Sequence, residues 1–227
     1  MAMMELQVDE QIARITMLGN GSFNADSLAE FNAALDTVEA DENVDILLLT
    51  GEEKSFSQGL DLEFVMAQTE PGAAMAFVGD CMQMVGRLLT FPIPVASLVN
   101  GHAFGLGAMI TLASDYKVMR EDRGYFCLPE VDLGMTLTER MNALVCGKLS
   151  GKVLRDVLHT GKRVGGPEAA SCGIVDASGA LEDLETLALA HAAPMRGKNR
   201  QALAGLKRGA HLDILAVIES DREDVTI

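Results

Sequence analysis

The run Pro94-Val95-Ala96-Ser97-Leu98-Val99-Asn100-Gly101-His102-Ala103-Phe104-Gly105-Leu106-Gly107-Ala108-Met109-Ile110 sets the frame for the whole chain. Residues 95–99 read as a buried strand that breaks at Asn100-Gly101. A glycine-rich turn and a short apolar helix follow. Upstream, Phe91-Pro92-Ile93-Pro94 stops a helix whose spacing runs through Phe77, Cys81, Met84, Val85 and Leu88 over residues 75–89. Before it, residues 44–50 form an aliphatic run ending in Gly51, the pattern of a strand buried on both faces. Ser27 with Glu30 three residues later reads as a capping box, opening a helix with Leu28, Phe31, Leu35 and Val38 on its apolar side. Residues 6–17 alternate as a hairpin, with Ala13, Ile15 and Met17 on one side. Downstream, residues 116–119 are a third strand candidate. Strand, turn and helix recur, which predicts an α/β protein rather than a sandwich or a bundle. Beyond about residue 136 the character becomes helical, with starts at Gly166-Pro167-Glu168 and helix-forming stretches at 181–193 and 201–220. The expected division is an α/β core over residues 1–177 and a helical C-terminal region over 178–227.

The chain has 227 residues, 48% of them hydrophobic, enough for a large core and incompatible with a disordered chain. Eighteen basic against 33 acidic side chains leave a net charge of −15, which argues against a nucleic-acid partner. No apolar run reaches membrane-spanning length, and the first residues lack a signal-peptide pattern. Cys81, Cys127, Cys146 and Cys172 are scattered without metal or redox spacing and read as thiols of a reducing cytoplasm. His102, His159, His191 and His211 have no ligand-like spacing, so no metal site is expected. The 13 methionines read as adaptable core or pocket filler. Residues 195–212 hold five bases and no acid, either a solvated helix face or a patch attracting anionic phosphates.

Two loops leave buried strands through glycine. In Phe56-Ser57-Gln58-Gly59-Leu60-Asp61-Leu62, Gly59 permits a turn that aims the Leu60 N–H into open space. In the run quoted first, the Gly105-Leu106-Gly107 turn opens a helix with free N–H groups. Two such amides brought together would bind a developing oxyanion; singly, each is also an ordinary turn. No dinucleotide fingerprint, phosphate loop or nucleophile elbow occurs. A third segment, Leu128-Pro129-Glu130-Val131-Asp132-Leu133-Gly134, sets a carboxylate among apolar residues, where it suits general-base work or sits as a plain turn carboxylate.

Together these segments resemble the crotonase (enoyl-CoA hydratase/isomerase) superfamily. Phe56-Ser57-x-Gly59-x-Asp61-Leu62 is similar to its F-S-x-G-x-D-[LIM] element. Pro94-Val95 through Asn100-Gly101-x-Ala103-x-Gly105-x-Gly107, then Asp115-Tyr116-Lys117-Val118, is similar to its P-V-[IV]-A-x-[VI]-N-G-x-A-x-G-G-G…[CS]-D-x-[RK]-[IV] element. Pro129-Glu130-x-x-Leu133-Gly134 is similar to P-E-x-x-L-G, and Gly166 to Val175 resembles A-x-E-A-x-x-x-G-[LI]-V. Four motifs in order over about residues 5–175 make the resemblance specific.

The resemblance implies an α/β crotonase (ClpP/crotonase-like) fold, a repeated ββα spiral with a helical C-terminal region. It implies an oxyanion hole from the backbone N–H groups of Leu60 and Leu106, with Gly59, Gly105, Gly107 and Met109 at the substrate. Leu106 stands where the family usually has glycine, although an N–H survives any side chain. Hydratases of the family use two glutamates; one position holds Met109, which moves no proton, and the other holds Glu130. One glutamate at the second position suits enzymes that shift a 3-enoyl-CoA double bond to the 2-position in fatty acid metabolism. Arg120 to Tyr125 and a C-terminal region short for the family point to the same branch. Glu139 is a reserve candidate for the base. The alternatives are a hydratase or other thioester chemistry, and an acyl-CoA-binding protein without turnover. The implied cofactor is none beyond the substrate's CoA, and the implied assembly is a homotrimer or a dimer of trimers.

Overall fold

The computed structural model describes residues 2–220. In chain order the elements begin with β1 (Met4–Asp9), β2 (Ile12–Met17), β3 (Ser22–Phe23), α1 (Ala25–Ala40), β4 (Ile46–Gly51), β5 (Ser55–Ser57), β6 (Gly59–Leu60), α2 (Leu62–Met66) and α3 (Ala73–Leu89). There follow β7 (Val95–Val99), β8 (His102–Phe104), α4 (Leu106–Ala113), β9 (Tyr116–Arg120), β10 (Phe126–Cys127), α5 (Glu139–Lys148), α6 (Gly151–Thr160) and α7 (Gly166–Ser171). The chain closes with β11 (Ala177–Gly179), α8 (Leu184–Ala192), α9 (Arg200–Ala210) and α10 (Leu212–Ile218).

The hairpin pairs β1 and β2 antiparallel, Met4 opposite Met17 and Asp9 opposite Ile12. From β2 onward the main sheet is parallel, in the order β1-β2-β4-β7-β9-β11. Each of β2, β4 and β7 continues into a short strand of a second layer and then a helix. The short strands pair among themselves, β10-β8-β5 and β3-β6. This is the expected spiral of ββα units.

Side-chain alternation divides the core. Leu47, Leu49, Val95, Val99 and Met119 face the larger core with α1, α3 and α4. Ile46, Leu48, Ala96, Leu98 and Val118 face the other side, where Leu184, Ala188 and Ala192 of α8 cover them. The C-terminal helices therefore complete the sheet's burial. β11 spans the expected 177/178 boundary and pairs with β9, Ser178 opposite Met119.

Three expectations are corrected. Helix α1 is capped by Asn24, not Ser27: the Asn24 side chain accepts the Ser27 N–H at 3.1 Å, and the Ser27 hydroxyl accepts the Asn24 N–H at 2.8 Å. Asn caps as well as Ser, and Glu30 is drawn off to accept the Met3 and Met4 N–H groups at 2.7 and 2.9 Å. The stretch 201–220 is two helices broken at His211. Of the bases over residues 195–212, Arg196, Arg200 and Lys207 are not a free solvated face, because they fasten the C-terminal region to the core. Arg196 pairs with Asp45 at 2.9 Å and Lys207 with Asp115 at 2.6 Å, while Arg208 pairs with Glu219 inside the C-terminal region at 2.7 Å. Arg200 donates to the carbonyls of Glu39 and Asp41 at 2.9 and 2.8 Å, closing the C-terminal end of α1.

Candidate active site

Two loops meet where β5 and β8 leave the second layer. Ser57 is fully buried, and its hydroxyl donates to the Gly21 carbonyl at 2.6 Å while accepting the Gly59 N–H at 3.1 Å. Gly59 has φ 86°, and a Cβ there would stand 2.6 Å from the Phe104 carbonyl oxygen and 2.9 Å from the Leu106 nitrogen. Only glycine lets the loops approach so closely. The Asp61 N–H donates to the Phe23 carbonyl at 2.8 Å. Successive amides of an extended segment point to opposite edges, so the Leu60 N–H faces away from β3.

The second loop turns at Gly105, whose φ of 50° and ψ of −116° are closed to residues with a Cβ. The Gly105 N–H donates to the Cys127 carbonyl and its own carbonyl accepts the Met109 N–H, both at 3.1 Å. The Leu106 N–H, in the first turn of α4, has no carbonyl of its own helix to meet. Asn100 ties the loops to the sheet: its Oδ1 accepts the Gly51 N–H at 3.0 Å and its Nδ2 donates to the Ser55 carbonyl at 3.4 Å.

Glu130 enters from the turn after β10. Its Oε1 lies 3.6 Å from where a Cβ on Gly105 would be, and its Oε2 is buried with no hydrogen-bond partner among the described residues. Burial pushes the carboxyl above its usual range. Leu60, Gly105, Leu106 and Glu130 line one cavity of about 170 Å³, whose other walls include Leu62, Val65, Met75, Leu133 and Met141. Among its lining residues Glu130 is the one carboxylate.

Gly59 and Gly107 pack behind this lining, Gly107 against Ser57. Met109 departs from expectation: it is fully buried in the core and does not line the cavity. Helix α4 is buried on every side, so only its first residue, Leu106, reaches the cavity. Glu139 begins α5 outside the lining. Arg120 is occupied by Asp122, at 2.8 Å, and by the Asn100 carbonyl, at 3.2 Å. Among the described residues no His, Cys, Asp and Glu cluster could hold a metal, and no helix is long and apolar enough to cross a membrane. Sequence reasoning missed the positioning work of Ser57 and Asn100, whose signal was their place inside the two glycine loops.

Known proteins resemble the chain along most of its length. Residues 7–219 match the family model described as Enoyl-CoA hydratase/isomerase. The chain is 34% identical over 172 residues to enoyl-CoA delta isomerase 2, peroxisomal, of Arabidopsis thaliana, covering 72% of each protein. A Mycobacterium tuberculosis protein, described both as an enoyl-CoA isomerase and as a probable enoyl-CoA hydratase, superposes with a TM-score of 0.86 at 25% identity, over 96% of this chain and 94% of that one. An enoyl-CoA hydratase of Mycobacterium ulcerans superposes with a TM-score of 0.86 at 25% identity, over 96% and 95%.

Proposed function

Because the chain belongs to the enoyl-CoA hydratase/isomerase family, we propose that it shifts the double bond of a 3-enoyl-CoA to the 2-position. Glu130 removes a proton from C2, which lies between the thioester and the double bond. Charge moves onto the thioester oxygen, where the Leu60 and Leu106 N–H groups stabilise the enolate. Protonated Glu130 then returns the proton at C4, on the same face of the planar dienolate. Each amide contributes about 3 kcal/mol by analogy with oxyanion-hole deletions. The apolar walls strengthen those hydrogen bonds, and the raised carboxyl brings the base nearer to working pH.

The observation that supports this reading is the single carboxylate, Glu130, in the apolar cavity that Leu60 and Leu106 also line. With Met109 in the core, no second carboxylate among the described residues lines the cavity to add water across a 2-enoyl group. Supplying 3-enoyl-CoA and 2-enoyl-CoA separately tests it. An isomerase conjugates the first, a hydratase converts the second to 3-hydroxyacyl-CoA, and a binding protein does neither. The same reading has CoA arriving with the substrate, with no other cofactor, and a homotrimer or a dimer of trimers, which sedimentation checks. We place the protein in the cytoplasm on its four free cysteines, while one relative is named peroxisomal; cell fractionation decides.

A further inference from the structure

At the N-terminal ends of β7 and β9, away from the cavity, three lysines and a histidine gather around one aspartate. Lys207 Nζ donates to Asp115 Oδ2 at 2.6 Å, and the same oxygen accepts the Val95 N–H at 2.8 Å. Lys117 Nζ donates to the Ser114 carbonyl at 3.4 Å. Lys148, the last residue of α5, is half-buried, and its Nζ lies 3.2 Å from His211 Nε2 at the α9–α10 break. Asp115 is occupied by Lys207, and no carboxylate among the described residues pairs with Lys148.

An amine that is desolvated and set beside other cations is the arrangement that activates lysine as a nucleophile. Burial first, then the Lys117 charge, push Lys148 down to about 8, with Asp115 pulling the other way and Lys207 adding to the fall. Burial and then Lys148 hold His211 below its usual range, so its ring is neutral near about pH 7. A neutral ring with a nitrogen within hydrogen-bond reach of the amine is placed to accept a proton.

We propose that Lys148 is a modification site that takes acyl groups from acyl-CoA thioesters, with His211 receiving the proton of the attacking amine. The amine lone pair attacks the thioester carbonyl, a C–N bond forms, and the C–S bond breaks with the electron pair leaving on the CoA sulfur. His211 takes the excess proton from nitrogen and passes it to the thiolate. The products are an amide on Lys148 and free CoA thiol, with no oxidant, reductant or metal consumed. Lys117 adds positive charge beside the amine that draws in the polyanionic CoA. The proposal needs the acyl-CoA reading only as a source of thioester.

The test uses the full chain with acetyl-CoA, which has no double bond to shift, so the result is independent of isomerase activity. Peptide mass spectrometry follows acetylation at Lys148 and at the exposed Lys54 and Lys198. At about pH 7.5 Lys148 should react about tenfold faster than either, because far more of it is neutral. Its rate should level off above about pH 8. His211→Asn should slow Lys148 about fivefold or more without changing the exposed lysines; His211→Gln repeats the comparison if the first variant melts early. The wild-type comparison stands without either variant. Equal rates at Lys148 and Lys198, or a folded His211 variant that acetylates Lys148 at full speed, would overturn the proposal.

Discussion

Replacing Glu130 by Gln keeps the volume of the side chain and removes the base. Proton transfer should be abolished while acyl-CoA affinity stays within about tenfold, since the base is not a binding group; stopped-flow conjugation and a Kd measurement check both. The carboxyl is raised above its ordinary 4.5 by burial, and the sign of that shift makes two further outcomes. Activity needs the ionised form, so kcat/KM should fall as pH drops through the raised value, at a higher pH than an ordinary carboxylate gives. Stability runs the other way. The favourable contribution is whole below the unfolded value and is lost as pH rises through the folded one. Glu130→Gln should therefore raise Tm at about pH 7 and have little effect near about pH 4, a comparison thermal melts make directly. Met109 presents the opposite case. A carboxylate at that fully buried position would face no partner, so Met109→Glu should cost several kcal/mol, on the order of 3 or more, in urea unfolding. Met109→Leu should cost less than about 1.5 kcal/mol.

At the scale of elements, the two glycine loops work as a pair. A Cβ at position 59 would press on the Phe104 carbonyl and the Leu106 nitrogen, so Gly59→Val should force the loops apart. Gly105→Ala would hold alanine in a glycine-only conformation at a cost of about 1–3 kcal/mol. Both should lower kcat about 100-fold or more, the scale of losing an oxyanion donor, with a smaller change in substrate Kd. Leu60→Ala and Leu106→Ala keep the main-chain donors and should cost turnover less. Equal losses in all four variants with normal melts would remove the role given to the amides. The same scale decides what the sequence discloses. Strand β7 is legible to the residue because burial on both faces leaves a run that is apolar except at Ser97 and stops at Asn100-Gly101. Strands such as β3, β6 and β10, two residues long, are too short for any periodicity to register. The start of α1 was misplaced because Asn24 and Ser27 are both competent caps. Glu130 and the two glycine turns were legible through their motifs. The burial of Met109 was not, since a helix apolar on all sides has no face to read. Ser57 and Asn100 pass in sequence for turn formers.

Over the whole molecule, the C-terminal region is locked to the core by buried charge as well as by packing. Lys207 is 6% exposed, and its partner Asp115 also accepts the Val95 N–H. Lys207→Ala would strand that carboxylate and should cost about 3–5 kcal/mol in chemical denaturation. The exposed Arg208–Glu219 pair should contribute less than about 1 kcal/mol. The strand order β1-β2-β4-β7-β9-β11 has a consequence for synthesis. Each long strand docks beside the one translated before it, so the sheet can be laid down in the order the ribosome delivers it. Its second face cannot be finished that way. Ile46, Leu48, Ala96, Leu98 and Val118 wait for α8, residues 184–192, and at ordinary elongation rates that is a wait of several seconds or more after β4 emerges. A nascent chain arrested before α8 therefore presents a flat aliphatic wall to its neighbours on the polysome. It is at this stage, rather than in the finished protein, that the molecule most needs a chaperone.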